Sequence, residues 1–242
     1  MCWQRSEVEL ERLRCELGPE FRVQNGPFKG MRYPGFEAVG SSLIAKLLGT
    51  YEVELGDVIE EFITKSFDTI IDVGCAEGYY AVGLALRSKT TQVHAFDTDP
   101  RAREICREMG RLNGVADRLN VQGLCAPADL LGLASGGRTL IISDCEGGEL
   151  DLFNETTVAR LRTCELLIEA HDFIVRGVSQ ALQRRFSSTH DCRLLHSLHP
   201  LDKAALHPSP LIRETAPEVI SWLYSEGRPE PMEWLHFTPR PA

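Results

Sequence analysis

The chain has 242 residues, 26 Lys and Arg against 35 Asp and Glu, and 43% hydrophobic residues, which is the composition of a folded globular protein with a formal net charge of −9. An acidic balance of this size argues against partners that need a basic face, so we expect no nucleic acid and no membrane among them. The charge does not exclude a small, neutral or cationic substrate. No uncharged stretch could span a bilayer and the charged N-terminus has no apolar signal core, so the sequence predicts a cytoplasmic protein.

The N-terminal region predicts helices around a loop. Residues 21–36 are dense in Gly, Pro and aromatic side chains, which predicts a loop or an irregular hairpin. Ser41 or Ser42 is a candidate helix cap, and Gly49 is a candidate helix stop. Amphipathic patterns predict helices over residues 5–17, 41–49 and 53–67. We expect residues 1–66 to form an extension that covers a substrate.

Short apolar runs alternate with helical stretches from residue 68 onward. The predicted strands cover residues 68–74, 91–97, 118–123, 138–144 and 164–170. The predicted helices cover residues 79–87, 100–114, 127–134, 149–162 and 173–186, and the last leads into residues 190–198. Apolar strands separated by helices are typical of an α/β fold, in which a parallel sheet is covered on both faces. We therefore expect a core domain over residues 67–198.

The C-terminal segment differs from the core in its proline content. Residues 199–242 hold eight of the 13 prolines and one of the 20 glycines. Proline without glycine indicates an ordered, irregular cover more than a flexible linker. Residues 216–227 predict a short helix and residues 232–238 a closing strand. We expect this segment to complete the sheet and the acceptor pocket.

Eight cysteines are spaced irregularly and form no C-x-x-C pair. A chain of this length does not need disulfides to hold a core. Four of the cysteines, Cys75, Cys125, Cys145 and Cys164, lie in or beside apolar runs. The sequence therefore predicts reduced cysteines that pack as small hydrophobic residues.

The first predicted strand ends in the turn Asp72-Val-Gly74-Cys-Ala-Glu-Gly78. Glycine permits the sharp turn and a close approach of the backbone to a ligand. The spacing is neither the G-x-G-x-x-G of dinucleotide enzymes nor a Walker A loop, and it suits a ligand with a charged amino-acid tail and a nucleoside. The second strand ends at Asp97, where an acid can accept hydrogen bonds from ribose hydroxyls. Asp99 precedes Pro100 and is a candidate helix cap.

This ordered set of strand, glycine turn, helix, strand and acid resembles the class I S-adenosylmethionine (SAM)-dependent methyltransferases. The resemblance covers residues 66–198, where IIDVGCAEGYYAVGLA is similar to their first motif and HAFDTDPRAREICREMGRLNG to their second strand and helix. IISDCEGGELDLF further resembles the D-x-E-G-x-E stretch of the FkbM-like branch, which is largely associated with O-methylation. The resemblance implies a Rossmann-like, seven-stranded, mostly parallel sheet with a reversed final strand, helices on both faces, and SAM as cofactor.

The resemblance also implies a set of cofactor-binding residues. The turn at 74–78 would line the methionine moiety, Asp97 would hold the ribose, and Leu124 and Cys125 would flank the adenine. Many family members have an acid near the adenine amino group, whereas this chain offers backbone or a thiol. The implied residues are Asp72, Gly74, Ala76, Gly78, Tyr79, Asp97, Thr98, Leu124 and Cys125.

Acidic residues and a histidine follow the fourth and fifth predicted strands. Asp144, Glu169 and His171 would meet at the carboxyl edge of the sheet, because parallel strands end there together. They predict either a divalent metal site for Mg, Mn, Fe or Zn, which lowers the pKa of an acceptor hydroxyl, or a metal-free His171 base oriented by Asp144 or Glu169. Catechol-type O-methyltransferases take metal ligands from similar positions. Asp172 and Glu149 predict helix-terminus roles, and Glu146 is open between that role and chemistry.

Four residues of the extension are candidates for contact with the acceptor: Phe28, Lys29, Tyr33 and Tyr51. Phe28, Lys29 and Tyr33, together with Arg32, form an aromatic and basic set that could fold over the cleft or pack on the core as a surface loop. Tyr51 belongs to residues 50–52, which follow a helix stop and could reach the SAM carboxylate or the substrate. The chain lacks the Asn-Pro-Pro-Tyr signature that the resemblance would require of amino methyltransferases, which favours an oxygen nucleophile on a small metabolite. Methylation of a small amine, a catalytically silent SAM-binding role, and non-methyl chemistry on the same fold stay open as alternatives, as does a homodimer.

Overall fold

A computed structural model describes residues 2–18, 20–213, 216–228 and 231–241. The strands are β1 (Phe21–Arg22), β2 (Arg32–Tyr33), β3 (Thr69–Val73), β4 (Gln92–Phe96), β5 (Leu119–Gln122), β6 (Thr139–Ser143), β7 (Glu165–Ala170), β8 (His190–His196) and β9 (Glu233–Pro239). The helices are α1 (Cys2–Leu17), α2 (Leu43–Leu48), α3 (Gly56–Lys65), α4 (Tyr79–Arg87), α5 (Pro100–Leu112), α6 (Pro127–Leu133), α7 (Glu149–Leu152), α8 (Glu155–Arg160), α9 (Val178–Phe186), α10 (Pro200–Leu206) and α11 (Pro217–Leu223). No helix in these four ranges is long and apolar enough to cross a membrane.

Seven strands form one sheet in the order β5-β4-β3-β6-β7-β9-β8. All pairs are parallel except those of β9, which runs antiparallel to β7 and to β8. The last strand of the chain is therefore inserted between two strands that precede it. This is the expected Rossmann-like, class I methyltransferase fold, with its reversed final strand formed by residues of the Pro-rich segment.

The core lies on both faces of the sheet, because neighbouring residues of a strand point to opposite sides. On β3, Ile70 belongs to one buried cluster and Ile71 to the other. Ile142 and Ile141 of β6 divide in the same way. Burial on both faces explains why the central strands read as continuous apolar runs and not as alternating ones.

The N-terminal and C-terminal segments pack against the core and against each other. Phe28 reaches α4 so closely that a Cβ on Gly83 would lie 2.6 Å from its ring. A separate buried cluster joins α1, α2 and α11 through Leu13, Ile44 and Val219. The segment predicted as a loop or irregular hairpin contains the antiparallel pair β1–β2. These contacts attach the extension to α4 and to the C-terminal helix α11.

Two helices differ from the prediction. The helix predicted over 149–162 is divided into α7 and α8, because the side chain of Asn154 accepts a hydrogen bond from the Thr157 backbone and caps a new helix. The helix predicted from residue 173 begins only at Val178. Gly177 adopts the left-handed conformation there, and Asp172 accepts hydrogen bonds from the backbone N–H groups of Gly177 and Ser179. Asp172 is therefore a helix cap, as predicted, at a later helix start.

The predicted helix signals at Ser42, Gly49 and Asp99 are confirmed. Ser42 accepts a hydrogen bond from the Ala45 backbone, and Gly49 ends α2 in the left-handed conformation. Asp99 accepts from the Arg101 backbone ahead of α5. The seven cysteines whose side chains are described are free thiols, four of them buried: Cys75, Cys106, Cys125 and Cys164.

Candidate functional site

A cavity of about 540 Å³ lies at the carboxyl ends of β3 to β6. Its wall is built from the segments that follow each of these strands: Asp72–Ala76, Asp97–Thr98, Gly123–Pro127 and Asp144–Glu146. Open α/β sheets bind ligands at this edge, where the strands diverge. The volume is in the usual range for sites that enclose a small molecule. The cavity therefore brings together most of the residues that the sequence predicted for a cofactor.

The two glycines of the glycine turn are required for different reasons. Gly74 has a φ of 82°, and a Cβ there would lie 1.6 Å from the backbone oxygen of Asp144, so the ends of β3 and β6 can meet only at a glycine. Gly78 has a φ of 98°, and its Cβ would lie 2.8 Å from the Cys106 sulfur of α5. Gly78 is not among the described residues that line the cavity. Helix packing therefore explains Gly78, for which the sequence predicted a close approach to a ligand, whereas Gly74 lies in the cavity wall.

Asp97 is held in place by two backbone groups. Its Oδ2 accepts a hydrogen bond from the Ala76 N–H at 2.8 Å, and its Oδ1 accepts from the Asp99 N–H at 2.8 Å. Ala76 has a φ of 46°, a left-handed conformation that a non-glycine residue rarely adopts. The carboxylate keeps lone pairs for further donors. Asp97 therefore lies in the cavity wall with a fixed orientation and unused accepting capacity.

The segment after β5 contributes an exposed leucine and a buried thiol to the cavity wall. Leu124 is 74% exposed at the cavity wall, and Cys125 is buried next to it. Burial, followed by the charge of Asp129, raises the pKa of the Cys125 thiol to about 12, so the thiol stays neutral at physiological pH. Together with the Gly123 backbone, these residues form a largely uncharged lining.

Asp72 is a buried acid in the cavity wall. Its Oδ2 has no hydrogen-bond partner among the described residues. Burial raises the pKa of Asp72 to about 7, the charges of Asp144 and Asp97 act in the same direction, and Lys46 opposes them. A buried carboxylate oxygen without a partner is costly, and a ligand donor would satisfy it.

Asp144, Glu169 and His171 lie close together at the carboxyl ends of β6 and β7, as predicted from the strand ends. One ligand atom from each lies within 4.8 Å of the others. The His171 Nε2 is 3.3 Å from Asp144 Oδ1 and 3.7 Å from Glu169 Oε2. Asp144 Oδ1 is buried and has no hydrogen-bond partner among the described residues. Only Asp144 of the three also lines the cavity, with a side chain that is 31% exposed.

His171 contacts Asp144 and Glu169, the residues expected to orient it. It also contacts Glu149, for which the sequence predicted a helix-terminus role. Glu149 is fully buried at the start of α7, and its Oε1 is 2.5 Å from His171 Nδ1. The same carboxylate accepts a hydrogen bond from the Gly147 N–H at 3.1 Å. A carboxylate accepts, so Nδ1 carries the hydrogen and Nε2 faces Asp144 and Glu169.

The charge state of His171 follows from its acidic neighbours. Burial by itself lowers the pKa of the imidazole, but contacts with Asp144 and Glu149 and the charges of Asp144 and Glu169 outweigh it and raise that pKa to about 10. Glu146, with a φ of 51° and a side chain that is 70% exposed, lies 3.5 Å from His171 Nε2 at the edge of the cluster. Glu146 therefore lies at the exposed edge of the acid–histidine cluster.

An arginine from the C-terminal segment closes the cluster on the other side. Arg228 donates hydrogen bonds to Glu169 Oε1, to Glu52 and to Glu226. Tyr80 donates to the other oxygen of Glu52. Burial raises the pKa of Glu52 to about 7, although Arg228 lowers it. The sequence analysis missed Arg228, because it lies in a segment without a motif, 59 residues beyond Glu169.

The predicted acceptor residues are divided between two places. Phe28 and Tyr33 are buried in the core, Lys29 is exposed, and none of the three is among the described residues that line the cavity. Phe28 lines a second cavity of about 480 Å³, which shares Tyr51 with the first. The cover over the first cavity comes instead from Val39, Gly40 and Ser41. Residues 28–33, which were expected to fold over the cleft or pack on the core, are therefore not among the described residues that line this cavity.

The second cavity also shares Tyr79 and Tyr80 with the first. The rings of Tyr51 and Tyr79 are 5.3 Å apart, and those of Tyr79 and Tyr80 are 5.3 Å apart, in edge-to-face contacts. Three tyrosines therefore form the partition between the two cavities. Thr98, the remaining predicted cofactor residue, lines the first cavity beside Asp97.

The chain matches no model of a known protein family, and it matches no curated protein. Among solved structures it is similar to a putative O-methyltransferase from Klebsiella pneumoniae, with 12% identity over 78% of this chain and 79% of that one and a TM-score of 0.48. It is also similar to the O-methyltransferase TomG from Streptomyces achromogenes in complex with SAM, with 11% identity over 75% of this chain and 78% of that one and a TM-score of 0.49. A third similar structure is the methyltransferase domain of bacterial CtHen1-C, with 15% identity over 78% of this chain and 98% of that one and a TM-score of 0.49. The strand order with its antiparallel β9 defines the fold.

Proposed function

We propose that this protein is a SAM-dependent methyltransferase that acts on an oxygen of a small-molecule acceptor, with a divalent cation held by Asp144, Glu169 and His171. One observation carries the proposal. A single cavity at the carboxyl edge of the sheet is lined by the glycine turn, by the oriented acid Asp97 and by Asp144, which belongs to the acid–histidine cluster. Cofactor and acceptor chemistry would therefore meet in one enclosed space.

The residues of the cavity fit SAM in three respects. Asp97 has lone pairs left for ribose hydroxyls after its two backbone hydrogen bonds. Asp72 has an unpartnered oxygen that an ammonium group would satisfy. The uncharged wall at Gly123, Leu124 and Cys125 suits a planar base. These three places lie at the carboxyl ends of three successive strands of the sheet, β3, β4 and β5.

The cluster fits a divalent cation. Two carboxylates and an imidazole suit Mg, Mn, Fe or Zn, and three protein ligands leave positions open for acceptor oxygens. Glu149 would fix the histidine ring from its far side, which is the usual arrangement at metal sites. Arg228 occupies Glu169 Oε1 and leaves Oε2 facing His171. The surrounding residues therefore hold all three ligands in orientations that converge.

The chemistry requires few groups beyond these. SAM supplies a methyl group that is already activated by its positive sulfur, and a cation lowers the pKa of an acceptor hydroxyl. The chain's own residues align the acceptor and exclude water: Asp144 links the cluster to the cavity, and Val39–Ser41 cover the cavity from above. An acceptor with one or more oxygens would be held at the cluster.

Calorimetric titration with S-adenosylhomocysteine tests the cofactor assignment. We expect saturable binding, and Asp97→Ala should weaken it about 10- to 100-fold, because a carboxylate that accepts from ribose hydroxyls is lost. Asp99→Ala is a matched control in the same segment, since Asp99 caps α5 through the Arg101 N–H. Absence of binding at millimolar ligand would overturn the assignment.

Titration with Mn²⁺, followed by electron paramagnetic resonance, tests the metal assignment. We expect one tightly bound ion per chain and its loss in Asp144→Asn, which removes a charged ligand and keeps the side-chain shape. Equal Mn²⁺ binding by both proteins would contradict the proposed ligand set. If the wild-type protein bound no Mn²⁺, the metal-free histidine chemistry predicted as the alternative would be the remaining mechanism.

A further inference from the structure

Lys46 is a buried cation in the wall of the first cavity. It lies on α2 in the N-terminal extension and is 2% exposed. Its Nζ is 2.5 Å from Glu77 Oε1 and 2.7 Å from Ser41 Oγ. The ammonium also lies over the rings of Tyr51 and Tyr79, at 4.6 and 5.5 Å from their centroids. These contacts hold the charge firmly at one point of the cavity.

The hydrogen-bonding capacity of Lys46 is not used up by these contacts. A lysine ammonium has three N–H donors. Among the described residues, its hydrogen-bond acceptors are Glu77 and Ser41, which leaves one donor. Glu77, by contrast, is fully buried and already accepts from Tyr33, Val39 and Lys46. In this ion pair it is therefore Lys46 that still has a free hydrogen-bond donor.

The charges in the cavity wall are unequally distributed. Lys46 is the one Lys or Arg among the described lining residues, against five acids: Asp72, Asp97, Asp144, Glu146 and Asp151. A ligand anion in this cavity has a single place where a full positive charge would meet it. A ligand cation has several acids within the same cavity, of which Asp72 carries the unpartnered buried oxygen.

Lys46 and Asp72 lie close enough for their charges to interact, since Lys46 lowers the pKa of Asp72. A buried cation with a spare donor and a buried carboxylate with a spare acceptor together complement a zwitterion. An α-amino acid has this arrangement of charges, with its carboxylate and ammonium on one carbon. Both residues lie next to the glycine turn, Asp72 before it and Lys46 through Glu77 within it.

We propose that Lys46 binds the carboxylate of the cofactor's amino-acid tail, opposite Asp72, which accepts from the ammonium. The inference rests on the proposed function and assigns the tail to a residue outside the Rossmann-like core. It replaces the segment Thr50–Glu52, which the sequence suggested for this carboxylate. Glu52 is itself an acid engaged by Arg228 and Tyr80 and would repel a carboxylate.

A purely structural role for Lys46 makes a different prediction. In that role the ion pair with Glu77 attaches the extension to the glycine turn and nothing more. Loss of Lys46 would then affect every ligand of the cavity equally, through the shape of the turn. Loss of a carboxylate contact affects only ligands that have the carboxylate.

Three ligands separate these roles by calorimetric titration. S-adenosylhomocysteine has the complete tail, its decarboxylated form keeps the ammonium alone, and 5′-methylthioadenosine has neither group. The wild-type protein should bind the first most tightly. If none of the three binds, the proposed function itself fails; if only the nucleoside portion matters, all three bind equally and the tail site is wrong.

The informative variant is the double substitution Lys46→Met with Glu77→Gln, because Lys46→Met alone would leave a buried carboxylate unpaired. We expect about 10- to 100-fold weaker binding of S-adenosylhomocysteine and unchanged binding of the other two ligands. Glu77→Gln alone keeps the cation and should retain the preference for the complete tail. Equal weakening of all three ligands, or no weakening of any, would overturn the assignment to Lys46. Circular dichroism would confirm that both variants are folded.

Discussion

The two ends of strand β7 carry the same residue in opposite circumstances. Glu165 begins the strand and Glu169 lies four residues later, and both side chains are almost completely buried. Glu165 Oε1 is 2.5 Å from Lys65 Nζ and 2.7 Å from His236 Nε2. Those hydrogen bonds outweigh the effect of burial and lower the pKa of Glu165. At this end an acid is matched by donors from α3 and β9.

At the other end, acids outnumber their partners. Burial raises the pKa of Glu169 well above its ordinary value, and Asp144 and Glu52 add to this effect against Arg228 and His171. Asp144 Oδ1 and Glu149 Oε2 are buried there without hydrogen-bond partners among the described residues. Folding alone does not explain such a surplus, because uncompensated buried charge destabilises a protein. Perturbed pKa values of this kind collect at functional sites.

The difference shows that position within the sheet, and not residue type, decides what a buried glutamate does. At the amino edge of β7 the neighbouring elements offer cations, and the acid stabilises the fold. At the carboxyl edge the neighbouring elements offer further acids, and a bound cation would offset them. A substitution at Glu169 can therefore be compared directly with the same substitution at Glu165.

The largest effect is expected from Glu169→Gln. The substitution removes a charged metal ligand, so the affinity for Mn²⁺ should fall at least about 100-fold, since even residues behind the ligands cost 10- to 100-fold. The dissociation constant is measured by titration of the holo and metal-stripped protein. Glu165→Gln is the matched control and should leave the affinity within about twofold. If both variants lost Mn²⁺ equally, the distinction between the two ends would be wrong.

A smaller effect is expected from Glu149→Gln. Gln keeps the size of the side chain but presents a neutral partner to His171 Nδ1, which is 2.5 Å away. We expect Mn²⁺ affinity to fall about 10- to 100-fold, with the number of bound ions unchanged. Titration of this variant beside Glu169→Gln gives the order of the two effects. An affinity equal to that of the wild type would remove Glu149 from the metal site.

Glu165→Gln should act on stability and not on binding. It removes charge-assisted hydrogen bonds from Lys65 and His236, so the free energy of unfolding should fall by about 1–3 kcal/mol. Urea denaturation measures this difference. An unchanged free energy of unfolding would mean that the pairing at this end contributes nothing. The conclusion that Glu165 stabilises the fold would then be wrong.

The smallest effect is the pH dependence of that difference. The pKa of Glu165 is lower in the folded chain than in the unfolded one, so its stabilisation is present above the unfolded value and is lost as the pH falls through the folded value. The stability gap between wild type and Glu165→Gln should therefore be full at pH 7 and close progressively below about pH 4.3. A gap that stayed constant down to acid pH would show that packing, and not ionisation, is responsible.

Much of the fold could be predicted from local pattern. The strand at Thr69–Val73 appears as an apolar run, and Asp99 before Pro100 appears as a cap, because backbone hydrogen bonding depends on neighbours in the chain. The meeting of Asp144, Glu169 and His171 could also be predicted, since the carboxyl ends of parallel strands share an edge. The division of the helix at Asn154 could not be predicted, because the apolar periodicity continues across the residue whose side chain caps the second helix.

The sequence by itself determined that the chain forms an α/β sheet with a glycine turn, a ribose-type acid and an acid–histidine set at one edge. Only the tertiary structure decided which residues support that set. Glu149, Arg228 and Lys46 reach their partners across 22, 59 and 31 residues of chain, respectively. Such contacts depend on how helices and terminal segments pack, and no spacing in the sequence records that packing. The candidate site residues could therefore be predicted from the sequence, whereas the residues that position them could not.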